Sequence, residues 1–178
     1  MELRIGQGYD IHRLEVSKKL TIGAVEIDYN KGFVAHSDGD VLIHALIDSI
    51  LGALNLGDIG THFPDNDPKY KGIASSILLK KTGELIEKES YKIVNIDSTI
   101  ICEKPKLKDY IPLMKESLSR ILNIPSNLIS IKAKTKEGVD ATGRNESIEA
   151  FVVVLLLLMQ NRLNNIEYKM QNGELEEM

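Results

Sequence analysis

Phe151-Val152-Val153-Val154-Leu155-Leu156-Leu157-Leu158-Met159 makes up nearly all of the longest purely apolar run in the chain, and what it forms decides the fold. Nine residues fall well short of the roughly 20 that a membrane-spanning helix requires. Periodicity alone does not separate helix from strand in so short a run. Three consecutive valines, β-branched and suited to a pleated surface, favour a strand over residues 148–158, although the leucines allow a helix. A strand apolar at every position needs cover on both faces. In a chain of 178 residues and 19.9 kDa, helices can cover one face. Sister subunits are expected on the other.

Working back towards the N-terminus, residues 129–135 and 93–101 read as further strands, rich in Ile, Val and Thr. Residues 3–12 read as another, ending before the polar Ser17-Lys18-Lys19, and residues 20–27 as a short hairpin arm. Between them the period turns helical. Val41/Leu42, Ala45/Leu46, Ser49/Ile50 and Ala53/Leu54 recur three to four apart, with Asp40 placed as N-cap and Gly57 beyond the end. Two more helices are predicted over residues 73–87 and about 110–122. The pattern is α+β, a mixed four-stranded sheet covered by helices on one face. Residues 1–160 are expected to form a single domain, and the polar residues 161–178 an extension that is partly disordered.

Composition narrows the function. Hydrophobic residues make up 43% and charged residues 27%, the mix of a globular chain. A net charge of -4 leaves no basic footprint for nucleic acid, and no membrane partner is expected. The single cysteine, Cys102, excludes an intrachain disulfide framework and Cys-rich zinc modules. Any metal must therefore be held by His and carboxylates. The opening residues are expected to form a strand rather than a secretory or transit segment. Abundant Ile, Lys and Asn beside only 5 Arg fit either a bacterial cytoplasm or a plastid-type organelle after leader removal.

All four histidines fall within the first 62 residues, three of them beside carboxylates: Asp10-Ile11-His12, His36-Ser37-Asp38-Gly39-Asp40, and His44. Asp10 and His12, two apart on a strand, point to one face. Asp40, His44 and Asp48, four apart, form a polar stripe on an apolar helix. A buried stripe of that kind needs partners. Taken alone, His44 bonded to Asp48 with Asp40 as a cap would suffice. With the Asp-x-His strand present, Asp10, His12 and His44 become the expected ligands of a zinc that keeps one open position, although manganese or cobalt also suits such donors. One of Asp38, Asp40 and Asp48 is expected to orient a ligating imidazole, and His36 to aim at the open position. The turn-rich Gly57-Asp58-Ile59-Gly60 and Phe63-Pro64-Asp65-Asn66-Asp67 suit hydroxyl groups. Cys102-Glu103-Lys104-Pro105-Lys106-Leu107-Lys108 and Lys132-Ala133-Lys134-Thr135-Lys136-Glu137 supply local cations for phosphate.

Together these residues resemble the 2-C-methyl-D-erythritol 2,4-cyclodiphosphate synthase family. The resemblance runs through Arg4–Gly6-Gln7-Gly8-Tyr9-Asp10-Ile11-His12, Ala35-His36-Ser37-Asp38-Gly39-Asp40-Val41-Leu42-Ile43-His44-Ala45, Leu56-Gly57-Asp58-Ile59-Gly60 with Phe63-Pro64-Asp65, Lys104-Pro105-Lys106 and Thr142-Gly143-Arg144. Order and spacing hold from residue 3 to about residue 158. The resemblance implies a lyase that cyclises 4-diphosphocytidyl-2-C-methyl-D-erythritol 2-phosphate and releases CMP. It implies zinc on Asp10, His12 and His44, magnesium on Glu137, and His36 and Thr135 as catalytic groups. Substrate would be held by Ser37, Asp58, Gly60, Phe63, Asp65, Asp67, Cys102, Lys104, Pro105, Lys106, Leu107, Lys134, Lys136 and Arg144. It also implies a homotrimer around a central cavity, with active sites between subunits and an isoprenoid diphosphate as a candidate cavity ligand near Arg144 and Glu146. Lys134 stands where many members have Thr, and Ala141 where an aromatic residue is common. Two other readings use the same residues: a zinc-dependent phosphoesterase, and a non-catalytic nucleotide-binding trimer.

Overall fold

The structure is a computed structural model that describes residues 2–35, 37–64, 66–70 and 72–159. The apolar run is a strand. Its strand, Ser147–Leu158, is the middle of a five-stranded sheet, flanked on one side by Leu3–Val16 and on the other by Tyr91–Ile101. In chain order the elements are β1 Leu3–Val16, β2 Leu20–Ile22, β3 Val25–Ile27, β4 Lys31–Phe33, α1 Val41–Leu54, α2 Ile59–His62, α3 Ser75–Lys88, β5 Tyr91–Ile101, α4 Ile111–Leu122, β6 Ile129–Lys134, α5 Asp140–Gly143 and β7 Ser147–Leu158. The sheet order is β4-β1-β7-β5-β6, and β2 and β3 form the separate expected hairpin.

The expected four strands become five. The fifth, β4, is a three-residue edge strand whose residues pair with the end of β1, Leu14 with Phe33 and Val16 with Lys31. Three residues carry no readable alternation, and the pairing prolongs β1 four residues past the predicted end at His12. The expected extension over residues 161–178 lies outside the described residues.

β4 and β7 both run antiparallel to β1, β7 is also antiparallel to β5, and β5 and β6 are parallel. β1, β5 and β6 therefore all end at the same edge of the sheet. Cross-strand register sets Ile11, Glu149, Ile101 and Lys134 in one row there. Residues at that edge, and those just past it, carry most of the chemistry.

Helices cover one face. Ile148, Ala150, Val152, Val154, Leu156 and Leu158 of β7 are all buried on the side where α1 packs. α1 is seated close because β1 offers glycines: a Cβ on Gly8 would stand 1.9 Å from the Ala45 carbonyl oxygen, and one on Gly6 1.9 Å from that of Ser49. Asn55 ends α1 in the left-handed conformation, a usual stop. The opposite face is apolar and uncovered among the described residues: Ile5 is 72% exposed and Phe151 42%, the latter's ring tilted against that of Tyr9 at 4.7 Å.

Candidate functional site

Asp10 and His12 sit on the helix-facing side of β1, and α1 brings His44 over them. The alternation of β1 and the close seating of α1 on Gly8 fix this meeting. The Asp10 Oδ2 atom lies 3.2 Å from His12 Nδ1 and 3.1 Å from His44 Nδ1, and the three donor atoms all fall within 4.8 Å of one another. Donors around a tetrahedral zinc at about 2.1 Å are spaced about 3.4 Å apart, so the set fits such an ion. All three residues are half-buried. Burial pushes the Asp10 carboxyl up, but hydrogen bonds with His12 and His44 outweigh it and hold it well below the usual range. Burial likewise opposes charge on His12, yet Asp10 raises its pKa. A cation would replace those imidazole contacts as the partner of the carboxylate.

The cavity over this cluster has a volume of about 380 Å³ and is lined by Asp10, His12, Arg13, Ser37, His44, Asp48, Gly60, Phe63 and neighbouring, mostly apolar residues, enough room for a small sugar phosphate. His36 and Asp65, also expected here, lie outside the described residues. Asp58 turns to Thr61, accepting from its backbone N–H and its hydroxyl at 2.8 Å each, and so caps α2. Asp67 is paired with Lys69 at 2.8 Å. Neither carboxylate is among the cavity-lining residues.

The stripe on α1 divides by role. Asp40 is fully buried and accepts from the backbone N–H groups of Gly23, Ala24 and Ile43, which ties the β2–β3 turn to the start of α1. Asp48 accepts from the Ile59 N–H at 2.7 Å and anchors α2. The simple pairing of His44 with Asp48 is thus replaced by three others: Asp10, Ser37 and Ser75. Of the three aspartates expected to orient an imidazole, Asp38 alone reaches His44, through Ser75. The fourth histidine, His62, is bonded to the Leu56 carbonyl.

A second group gathers beyond β5 and β6. The Cys102 N–H donates to the Lys134 carbonyl, joining the two loops. The Cys102 thiol and the Leu107 side chain are buried, while Lys104, Lys106 and Lys134 are exposed. Burial, aided by the nearby Glu103, pushes the thiol up to about 12, which leaves it no nucleophilic character at neutral pH. The Thr135 hydroxyl donates to Glu137, and Arg144 pairs with Glu146. Lys136 turns to Glu149 at 2.8 Å and Asp140 at 3.2 Å. Lys134 stands three strand spacings from β1 along the row, about 14 Å. Among the described residues, none of this second group lines the cavity over Asp10, His12 and His44.

Glu149 was not a sequence-derived candidate, though a lone acid in an apolar strand signals it. Its side chain, 7% exposed, accepts from Lys136, from the Thr142 hydroxyl at 2.6 Å and from Tyr9, pinning the 135–143 segment to β7. Burial pushes this carboxyl up, but Lys136 and Thr142 outweigh it, leaving its pKa below the ordinary 4.5. The unfolded chain therefore binds this proton more readily, and the stabilisation is complete above that ordinary value and lost as pH falls through the folded one. Glu149→Gln is expected to cost about 1–2 kcal/mol at neutral pH. The difference in melting temperature from wild type should close under acid conditions; a gap independent of pH would contradict this role.

Comparison with known proteins places the chain. The YgbB family model matches residues 3–157. A 2-C-methyl-D-erythritol 2,4-cyclodiphosphate synthase of Brachyspira hyodysenteriae is 56% identical over 154 residues, 86% of this chain and 98% of the relative. That of Clostridium acetobutylicum is 55% identical over 155 residues, 87% of this chain and all of the relative. Among solved structures, IspF of Plasmodium falciparum in complex with CDP superposes with a TM-score of 0.78 at 42% identity, covering 88% of this chain and 96% of that one. The bifunctional IspDF of Campylobacter jejuni gives a TM-score of 0.85 at 37% identity, covering 89% of this chain but 43% of that longer one. With a family model spanning nearly its whole described length and relatives above half identity, the chain belongs to the YgbB family.

Proposed function

We propose that this chain converts 4-diphosphocytidyl-2-C-methyl-D-erythritol 2-phosphate into 2-C-methyl-D-erythritol 2,4-cyclodiphosphate and CMP, a step of non-mevalonate isoprenoid biosynthesis. The observation that carries this reading is the convergence of Asp10, His12 and His44 at the mouth of a sugar-phosphate-sized cavity in a chain more than half identical to named synthases. The relatives favour neither the phosphoesterase nor the non-catalytic alternative.

In the reaction an oxygen of the 2-phosphate attacks the β-phosphorus, and the bond from that phosphorus to the oxygen bridging it to the α-phosphate breaks, so CMP carries that oxygen away. Such a transfer is governed by positioning and charge stabilisation. Asp10, His12 and His44 would hold a zinc, and Glu137 a magnesium through its single exposed carboxylate, an arrangement magnesium accepts when phosphates complete its shell. Bound cations supply Lewis acidity to the phosphate oxygens. His36 and Thr135 would orient the reacting phosphate. Ser37, Gly60 and Phe63, with the Asp58, Asp65 and Asp67 segment, would hold the methylerythritol part. Cys102, Lys104, Pro105, Lys106, Leu107, Lys134 and Lys136 belong to the cytidine side, with Cys102 and Leu107 acting through backbone because their side chains are buried.

The gap between the two groups favours a homotrimer in which one subunit's Asp10 cluster faces its neighbour's Lys134 loop. The uncovered apolar sheet face supplies the contact. A central cavity near Arg144 and Glu146 would then accept an isoprenoid diphosphate. The bacterial relatives support a bacterial cytoplasm, and nothing in them favours the plastid alternative. Residues 1–160 would form the single catalytic domain.

Phosphorus NMR of the full chain with substrate, zinc and magnesium tests the reading. A cyclic diphosphate without solvent oxygen is expected; linear phosphate carrying labelled solvent oxygen would overturn it in favour of hydrolysis. Sedimentation of the same sample should give a trimer, and a monomer would remove the shared-site arrangement. Farnesyl diphosphate that leaves both rate and melting temperature unmoved would remove the cavity ligand.

A further inference from the structure

Behind the metal cluster lies a hydrogen-bonded path that the ligand set does not require. His44 presents Nδ1 to Asp10, and its other ring nitrogen, Nε2, lies 2.9 Å from the Ser75 hydroxyl. Ser75 is fully buried at the first position of α3. Asp38 holds it with both oxygens: Oδ1 accepts from the Ser75 hydroxyl at 2.5 Å, and Oδ2 from the Ser75 backbone N–H at 3.0 Å. The residue before Ser75, Ala74, makes no side-chain cap, so Asp38 caps α3 from another part of the chain. The Ser37 hydroxyl is a longer, second neighbour of Nε2 at 3.2 Å and already accepts from the Gly39 N–H.

The direction of this path follows from the chemistry of each group. Asp38 accepts both the O–H and the N–H of Ser75, which leaves a Ser75 oxygen lone pair to face His44. Nε2–H then donates to Ser75. Nδ1 is left as the nitrogen turned to Asp10, and a cation that takes Nδ1 leaves the proton on Nε2 in place. We propose that Ser75, held by Asp38, is a positioning residue that fixes the His44 ring angle and keeps the proton on Nε2, so that Nδ1 is the nitrogen presented to a divalent cation. The role rests on the metal reading above. It goes beyond it by assigning affinity to two residues that touch neither cation nor substrate.

Ser75→Ala separates this role from capping, since the variant keeps the backbone N–H that Asp38 accepts. Zinc dissociation constants would be measured by competition with a chromophoric chelator on the full chain, alongside melting of the metal-free protein. Loss of a partner behind a ligating histidine typically weakens a metal about 10–100-fold, and that loss is expected for Ser75→Ala with metal-free melting close to wild type. Nitrogen-15 histidine spectra of the zinc-loaded protein should show His44 with Nδ1 on the metal and its proton on Nε2 in wild type, and a shifted Nε2 signal in Ser75→Ala. Equal zinc affinity and identical nitrogen shifts in the two proteins would overturn the proposal. A loss of affinity in Ser37→Ala with none in Ser75→Ala would also overturn it. Should Ser75→Ala not fold, the wild-type spectrum decides: a proton on Nδ1 overturns the relay, and one on Nε2 supports it. Wild type that binds no zinc would remove the metal reading itself, whereas zinc held equally by wild type and Ser75→Ala removes only the relay.

Discussion

His44→Ala is expected to reduce turnover by at least about 10³-fold while leaving the chain folded. The charge stabilisation a cation gives a phosphoryl transfer is several kcal/mol, and each 1.36 kcal/mol is tenfold in rate. His44 provides one of three donor atoms, and the two that remain, two apart on one strand, hold zinc poorly. The fold does not depend on this imidazole: α1 is seated by Leu42, Ile43, Leu46, Ile47, Ile50 and Leu51, all at most 1% exposed. Metal content, product formation and melting of the metal-free protein read the three parts separately. Near wild-type turnover would refute the site, and collapse of the metal-free variant would show that His44 is structural.

Gly8→Ala should do the reverse and take the fold with it. The added methyl would sit 1.9 Å from the Ala45 carbonyl oxygen and 2.8 Å from the Ser49 nitrogen, both backbone atoms of α1 that no rotamer change can clear. Helix and sheet must separate, opening the core along β1 and β7. Ordinary overpacking costs about 1–3 kcal/mol; a clash with helix backbone belongs to the rare class above about 4 kcal/mol. In a chain of this size that is a drop of about 10 °C or more in melting temperature. Because Gly8 is two residues from Asp10 on the same face, surviving folded protein should also bind zinc more weakly. A melting temperature close to wild type would mean that α1 and β1 are not held at this spacing.

The metal cluster was legible because two short-range rules meet in it: alternation puts Asp10 beside His12, and the helical stripe isolates His44. The same stripe shows only part of what its outer members do; Asp40 caps α1 as expected. Asp40 and Asp48 share the face by spacing, but each reaches backbone N–H groups from other elements, and sequence spacing says nothing of what lies opposite. β7 was legible from its valines, β4 was not, since Lys31-Gly32-Phe33 is held only by its partner. Ser75 left no signal, because a serine at a helix start is an ordinary residue there. Lys136, grouped with the lysines suited to phosphate, also pairs with Glu149, a partner 13 positions away that spacing does not reveal.

The row from Ile11 to Lys134 has one more consequence. Its rungs are sheet hydrogen bonds, so the span between the two chemical groups is as stiff as the sheet, and no loop motion within a single polypeptide brings them together. On the trimeric reading, folding is first order in protein while completing a working centre is of higher order. Dilution would then silence intact molecules without unfolding any of them.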